Sequence, residues 1–214
     1  MHYRLSWDAA AARPVAPPRY PERRITVHQS WRDRLIYALY RALQWLGLPL
    51  LLAYLASRIL RVPRYLRHLP ERFGFLPRRL RRSAPGAIWL HAVSVGEALT
   101  AIGLIEQLRQ TLPEAPVFVS VSTLAGRAMA EKKLAGLAAG VFFLPLDYPF
   151  AVRRVLRSLQ PSVLAVMETE IWPNLWREAV RSGARLVVVN GRISDKALPR
   201  YQRHRWFFRA TLNT

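Results

Sequence analysis

From Ala87 onward, short apolar runs alternate with stretches of helical periodicity. The runs AIWLH (87–91), PVFVSV (116–121), VFFLP (141–145), VLAVM (163–167) and LVVVN (186–190) predict strands. Each is apolar along its whole length rather than at alternate positions, as expected where a parallel sheet is covered on both faces. Between them the pattern predicts helices near 97–111, 124–138, 149–159 and 171–182, with a last one near 197–209. Strand–helix repetition of this kind requires right-handed crossovers, and so an open, doubly wound parallel α/β sheet.

The part before Ala87 differs in kind. Trp31 to Leu60 reads WRDRLIYALYRALQWLGLPLLLAYLASRIL and carries no charge from Ala42 to Ser57. That run is shorter than the roughly 20 residues that cross a bilayer, but Arg41 and Arg58 would lengthen it by snorkelling outward. Trp45 and Tyr54 suit the membrane interface, and Pro49 is tolerated in such a helix. The segment reads as a membrane anchor or a deeply inserted monotopic helix. The alternative is a buried helical hairpin broken at Gly47-Leu48-Pro49. Arg58 to Arg82 follows with nine arginines and one acid, Glu71. Basic residues beside an apolar segment mark the cytoplasmic side and attract anionic head groups. Before Trp31, the stretch Met1–Arg24 is rich in Pro, Ala and Arg, has no periodicity and lacks the apolar core of a signal peptide. Three parts result: a disordered extension over 1–30, an anchor helix with its arginine-rich segment over 31–84, and a sheet domain over 85–214.

Charge sharpens this division. Lys+Arg total 33 against 13 Asp+Glu, a net charge of +20, and residues 1–82 alone hold 17 Arg and four acids. Such a balance implies a polyanionic partner: nucleic acid, anionic lipid or a phosphorylated ligand. A nucleic-acid module would leave the uncharged 42–57 run and the acidic residues described next unexplained. There is no cysteine, which excludes disulfides and thiolate metal sites. There is no P-loop, GxGxxG or HExxH, and the histidines are scattered, so no nucleotide cofactor or metal is expected.

Ligands of an open parallel sheet bind beyond the carboxyl ends of its strands. There the chain places Ser94-Val95-Gly96-Glu97 after the first strand, Thr123 and Gly126 after the second, Asp147 after the third, Glu168-Thr169-Glu170 after the fourth and Gly191-Arg192 after the fifth. Glu97 begins a helix, where the dipole favours the negative charge a general base must carry. Glu168 and Glu170 lie two apart in METEIWPN and, in extended backbone, share a side. Like charges there raise at least one pKa unless a cation intervenes. Glu170 serves alternatively as a cap for the next helix, and Arg192 either pairs with a carboxylate or holds a ligand phosphate.

The segments IWLHAVSVGEALTAIGLIEQLR, LPLDYPFAVRRVL and METEIWPNLWREAVRSGARLVVVNGRIS, with ERFGF (71–75) ahead of them, resemble the amino-terminal domain of Kdo (3-deoxy-D-manno-octulosonic acid) transferases. The family commonly has Ala where Gly191 stands. The resemblance implies a Rossmann-like acceptor-binding half of a two-domain GT-B glycosyltransferase, the donor-binding half following in the family where this sequence ends. It implies CMP-Kdo as donor and the bisphosphorylated lipid A precursor lipid IVA as acceptor. It also implies work without a metal at the cytoplasmic face of the inner membrane. By resemblance Glu97 is the catalytic base and Glu168 helps stabilise the transition state, with Glu170 beside it. Candidate acceptor contacts are Ser94, Gly96, Arg72, Arg127 and Arg192. Another GT-B enzyme moving a different sugar to a lipid is the competing expectation.

Overall fold

The computed structural model describes residues 30–81, 85–93 and 95–213, and of Val95 the backbone. The predicted extension, apart from Ser30, lies outside the described residues, as does Ser94. Five parallel strands, β1 (Ala87–His91), β2 (Val117–Val121), β3 (Gly140–Phe143), β4 (Pro161–Met167) and β5 (Arg185–Val189), form one sheet in the order β3-β2-β1-β4-β5. The crossovers run through α3 (Val95–Thr111), α4 (Leu124–Lys133), α5 (Pro149–Leu159) and α6 (Pro173–Arg181). The doubly wound sheet expected from the apolar runs is the fold observed.

Alternation along the central strands divides the core in two. Ala87 and Trp89 of β1 pack with Phe142, Leu164, Val155, Leu159 and Leu175 on the face covered by α5 and α6. Ile88 and Leu90 pack with Ala98, Ile105, Val119, Phe143 and Met167 on the face covered by α3 and α4. Every residue of β1 and β2 is buried, which is why their sequences lack a polar side. Trp89 is fully buried, 5.6 Å from Phe142 between ring centroids, and its indole N–H donates to Ser120 Oγ at 2.8 Å. Edge strand β5 is partly open, with Val187 and Val188 exposed.

Ahead of the sheet, α1 runs unbroken from Trp31 to Arg61 through Pro49. Ser30 opens it with a reciprocal cap: its Oγ accepts from Asp33 N–H while Asp33 Oδ2 accepts from Ser30 N–H. No hairpin forms at Gly47. The chain turns at Val62-Pro63 into α2 (Arg64–Arg72) and rejoins the sheet domain. α1 is long and apolar enough to cross a membrane, yet one side of it rests on the domain. Tyr40 Oη donates to Asp147 at 2.9 Å, and Gln44 Nε2 donates to the Asp147 carbonyl at 2.8 Å. Arg41 Nη2 reaches Glu178 at 2.9 Å. Arg41 was expected to snorkel; instead it is tied to a buried carboxylate of α6, because the helix face that carries it is the docked one.

Helix boundaries also shift: the helix expected over 124–138 ends at Lys133. The expected helix from Ile171 begins at Pro173, whose ring suits the first helical position. The expected last helix divides at His204 into α7 (Leu198–Arg203) and α8 (Arg205–Leu212).

Candidate active site

In this strand order the chain winds one way from β1 through β2 to β3, then crosses back to β4 on the other side of β1 and on to β5. The crevice between the carboxyl ends of β1 and β4 is therefore the switch point, the place where open α/β sheets hold ligands. Glu97 stands on one side of it and Glu168 on the other.

Glu97 lies in the first turn of α3. Its Oε2 accepts the Val93 N–H at 2.8 Å, which ties the helix start back onto the loop after β1. The residue is buried, with 8% exposure. Gly96, one residue before it, is exposed.

Glu168 follows β4 with φ at 57°, the left-handed region that costs a residue with a Cβ about 1–2 kcal/mol. Its own N–H continues the ladder to Val189 O at 2.8 Å. Arg192 Nη2 meets Glu168 Oε1 at 3.0 Å, with both side chains open to solvent. Asn190, at the end of the neighbouring strand, is also left-handed. The two loops are laced together, since Arg192 N–H donates to Thr169 Oγ1 at 3.0 Å and the Thr169 hydroxyl donates back to the Arg192 carbonyl. Strained backbone at the end of adjacent strands, held by such a lacing, is a mark of functional sites.

Glu170 completes the group. Burial, then the charge of Glu97, then that of Glu168 raise its pKa above the ordinary value. It is near enough to feel both carboxylates. It does not cap α6, because Asp147 does: Leu175 N–H donates to Asp147 Oδ1 at 2.7 Å and Asn174 N–H to Oδ2 at 3.1 Å. Sequence reasoning placed Asp147 at this edge without a role. The signal that finds it is the beginning of α6 at Trp172-Pro173, which has no side-chain cap of its own and needs an acceptor from elsewhere.

Two of the candidate acceptor contacts are spent inside the protein. Arg72 Nη1 donates to Leu144 O at 3.1 Å, Nη2 donates to Ser122 O, and the guanidinium lies 4.7 Å from the Phe143 ring centroid. Arg127 is buried, pairs with Glu71 and Glu131 and lies over the same ring. These arginines fasten the ERFGF segment to the ends of β2 and β3. Of the three arginines singled out, Arg192 is the one at the acidic crevice. Among the described residues no group of three or more His, Asp or Glu is arranged to hold a metal ion.

With this geometry in place, comparison with known proteins decides the family. The family described as 3-deoxy-D-manno-octulosonic-acid transferase (kdotransferase) matches residues 67–214. The chain belongs to that family. It is 37% identical over 119 residues to the 3-deoxy-D-manno-octulosonic acid transferase of Haemophilus influenzae, a match covering 55% of this chain and 27% of that protein. It is 33% identical over 129 residues to the Rickettsia felis protein of the same name, covering 60% of this chain and 27% of the relative. A Fusobacterium nucleatum protein named bifunctional glycosyltransferase/methyltransferase is 32% identical over 126 residues, 58% of this chain and 20% of that one. The chain thus matches about a quarter of the length of these Kdo-transferase relatives. The crevice acids Glu97, Glu168 and Glu170 fall within the family match.

Proposed function

We propose that this chain is the acceptor-binding half of a glycosyltransferase that moves Kdo from CMP-Kdo to the lipid A precursor lipid IVA in lipopolysaccharide assembly. The observation that carries the reading is the meeting of Glu97, Glu168 and Glu170 at the β1/β4 switch point, in a chain of the Kdo transferase family. In this reading the Glu97 carboxylate takes the proton from the primary hydroxyl of the acceptor. The resulting oxygen attacks the anomeric carbon of Kdo from the face opposite CMP. CMP leaves with the bonding pair, and the configuration inverts. Glu168, with Arg192 holding its carboxylate, faces the positive charge that develops on the sugar as the leaving bond stretches, and Glu170 adds negative potential beside it. No metal or cofactor is assigned a step.

The acceptor would come from the cytoplasmic face of the inner membrane. The rooting of α1 and α2 supports a membrane-bound acceptor. Arg72, at the end of α2, donates to carbonyls just after β2 and β3. Trp45 of α1 packs against Tyr148 and Phe150 at the start of α5. The apolar segment and its arginines therefore spring from the carboxyl edge of the sheet, the edge that carries the acids.

In the family the donor-binding half lies in the remainder of the protein, so this stretch alone is expected to release no CMP from CMP-Kdo. Kdo transfer to lipid IVA by a protein completed with that half tests the reading. Removal of the general base by Glu97→Gln is expected to lower the rate by about 10²-fold or more. Full activity in the variant removes Glu97 from the mechanism.

A further inference from the structure

A cavity of about 770 Å³ opens at the amino edge of the sheet, away from the acidic crevice. It lies among Pro85 and Gly86 ahead of β1, Pro161 and Ser162 at the start of β4, and the last turns of α5 and α6. β4 has seven residues, so about 20 Å of sheet separates the cavity from the acids at the opposite edge. The volume is that of an ordinary small-ligand pocket, and nothing in the proposed transfer reaction uses it.

Its wall is rich in arginine. Glu178, buried in α6, is the single acid among the lining residues. Arg153 grips that carboxylate twice, Nε to Oε2 at 2.6 Å and Nη2 to Oε1 at 3.1 Å, and so is fixed at the wall with donors to spare. Arg41 also takes Oε1, at 2.9 Å, and Arg181 stands off at 3.7 Å. Arg157 donates to the Arg153 carbonyl at 3.2 Å and meets no carboxylate among the described residues. The carboxyl ends of α5 and α6 account for part of this charge, about one negative charge between them. Set against the four arginines, those helix ends and Glu178 leave about two positive charges over.

The rim is strained at one position. Gln160 ends α5 with φ at 44°, a conformation that glycine takes freely and a Cβ disfavours. Gly86 and Gly183, with φ at 103° and 92°, make the other two left-handed turns of the rim. At position 160 a glutamine stands where glycine would fit without strain, and its exposed side chain lines the cavity. Backbone held in this way clusters at ligand clamps. We propose that the cavity is a second ligand site, which takes the pyrophosphate or phosphomonoester group of a soluble molecule between Arg153, Arg157 and Arg181, with the Gln160 amide as a further donor. The apolar helix springs from the opposite edge of the sheet, so a dissolved phosphate rather than a lipid head group is the occupant.

The full chain in uncharged detergent micelles would be titrated with inorganic pyrophosphate by calorimetry at about 0.15 M salt, where charges more than about 8 Å apart are largely screened. Saturable binding is expected, weakened about 100-fold by Arg157→Gln/Arg181→Gln. Arg200→Gln/Arg203→Gln, on exposed residues of α7, removes the same charge elsewhere and should leave binding unchanged. Equal binding by all three proteins means adventitious attraction to a chain of net charge +20 and overturns the proposal, as does absence of binding by the parent. Gln160→Gly separates binding from folding: it relieves the left-handed turn, so the thermal midpoint should rise while affinity falls about fivefold. Unchanged affinity in that variant overturns the amide contact. Phosphatidate added to the micelles should not displace pyrophosphate; displacement makes the occupant a head group and overturns the soluble source. None of these readouts involves turnover, so they are independent of the transferase reading.

Discussion

Asp147 joins three parts of the molecule: it follows β3, caps α6 and receives the Tyr40 hydroxyl of α1. Burial pushes its pKa from 3.8 up to about 6, against the pull of the Asn174 and Leu175 N–H groups, Tyr40 and Arg41. Between those two values the folded chain keeps a proton that the unfolded chain has released. Stability from this group is therefore full at about pH 4 and declines as pH rises towards 6, where it levels off. At 1.36 kcal/mol per pKa unit the decline is about 3 kcal/mol. Asp147→Asn cannot titrate, so the decline should vanish from the variant. The amide also turns one acceptor into a donor facing an N–H or the Tyr40 hydroxyl, a loss of about 1–3 kcal/mol at every pH.

The measurable quantity is the stability gap between parent and variant, from urea unfolding in detergent micelles at pH 4, 5, 6 and 7. The gap should be widest at pH 4 and narrow by about 3 kcal/mol by pH 7. Other groups cancel in the difference. Glu170 has a raised pKa and the same sign, but both proteins keep it. Glu178 is drawn up by burial but held below its ordinary value by Arg153, Arg181 and Arg41. Its contribution is lost only as the solution is acidified below the ordinary carboxylate range, again in both proteins. A gap that stays constant with pH refutes the argument, because Asp147 would then titrate alike in the folded and unfolded chains.

Two further substitutions test the segment that joins α2 to the sheet. Glu71→Ala removes the acceptor of Phe143 N–H, at 2.8 Å, and the buried partner of Arg127. A loss of about 3–5 kcal/mol is expected in urea unfolding, and adding Arg127→Met should recover part of it; a loss below about 1 kcal/mol counts against a buried ion pair. Gly74 has φ +83°, and a Cβ there would come within 2.3 Å of the Ala151 carbonyl oxygen. Gly74→Ala should lower the thermal midpoint sharply, as steric strain requires, and an unchanged midpoint would mean that α2 is free to move off α5.

The sheet was legible because a strand buried on both faces lacks a polar side, and β1, β2 and the buried part of β4 are apolar runs with His91 and Ser120 as the exceptions. The crevice acids were legible for a topological reason: residues just beyond parallel strands share an edge whatever the loops do, so Glu97 and Glu168 had to meet once β1 and β4 were neighbours. Arg72 shows where such reasoning stops. An arginine that binds backbone carbonyls leaves no mark in the sequence, because the carbonyls of Ser122 and Leu144 belong to no particular residue type. The Arg41–Glu178 pair was hidden differently, by the separation of 137 residues between its members. For α1, the uncharged run from Ala42 to Ser57 drew attention to length, the quantity that decides whether a helix crosses. The deciding feature was periodicity. Tyr37, Tyr40, Arg41 and Gln44 repeat at helical spacing against Leu35, Leu39, Leu43 and Leu46. Those polar positions are the ones the domain holds, so the docked face of α1 is written in its spacing, which length alone does not show.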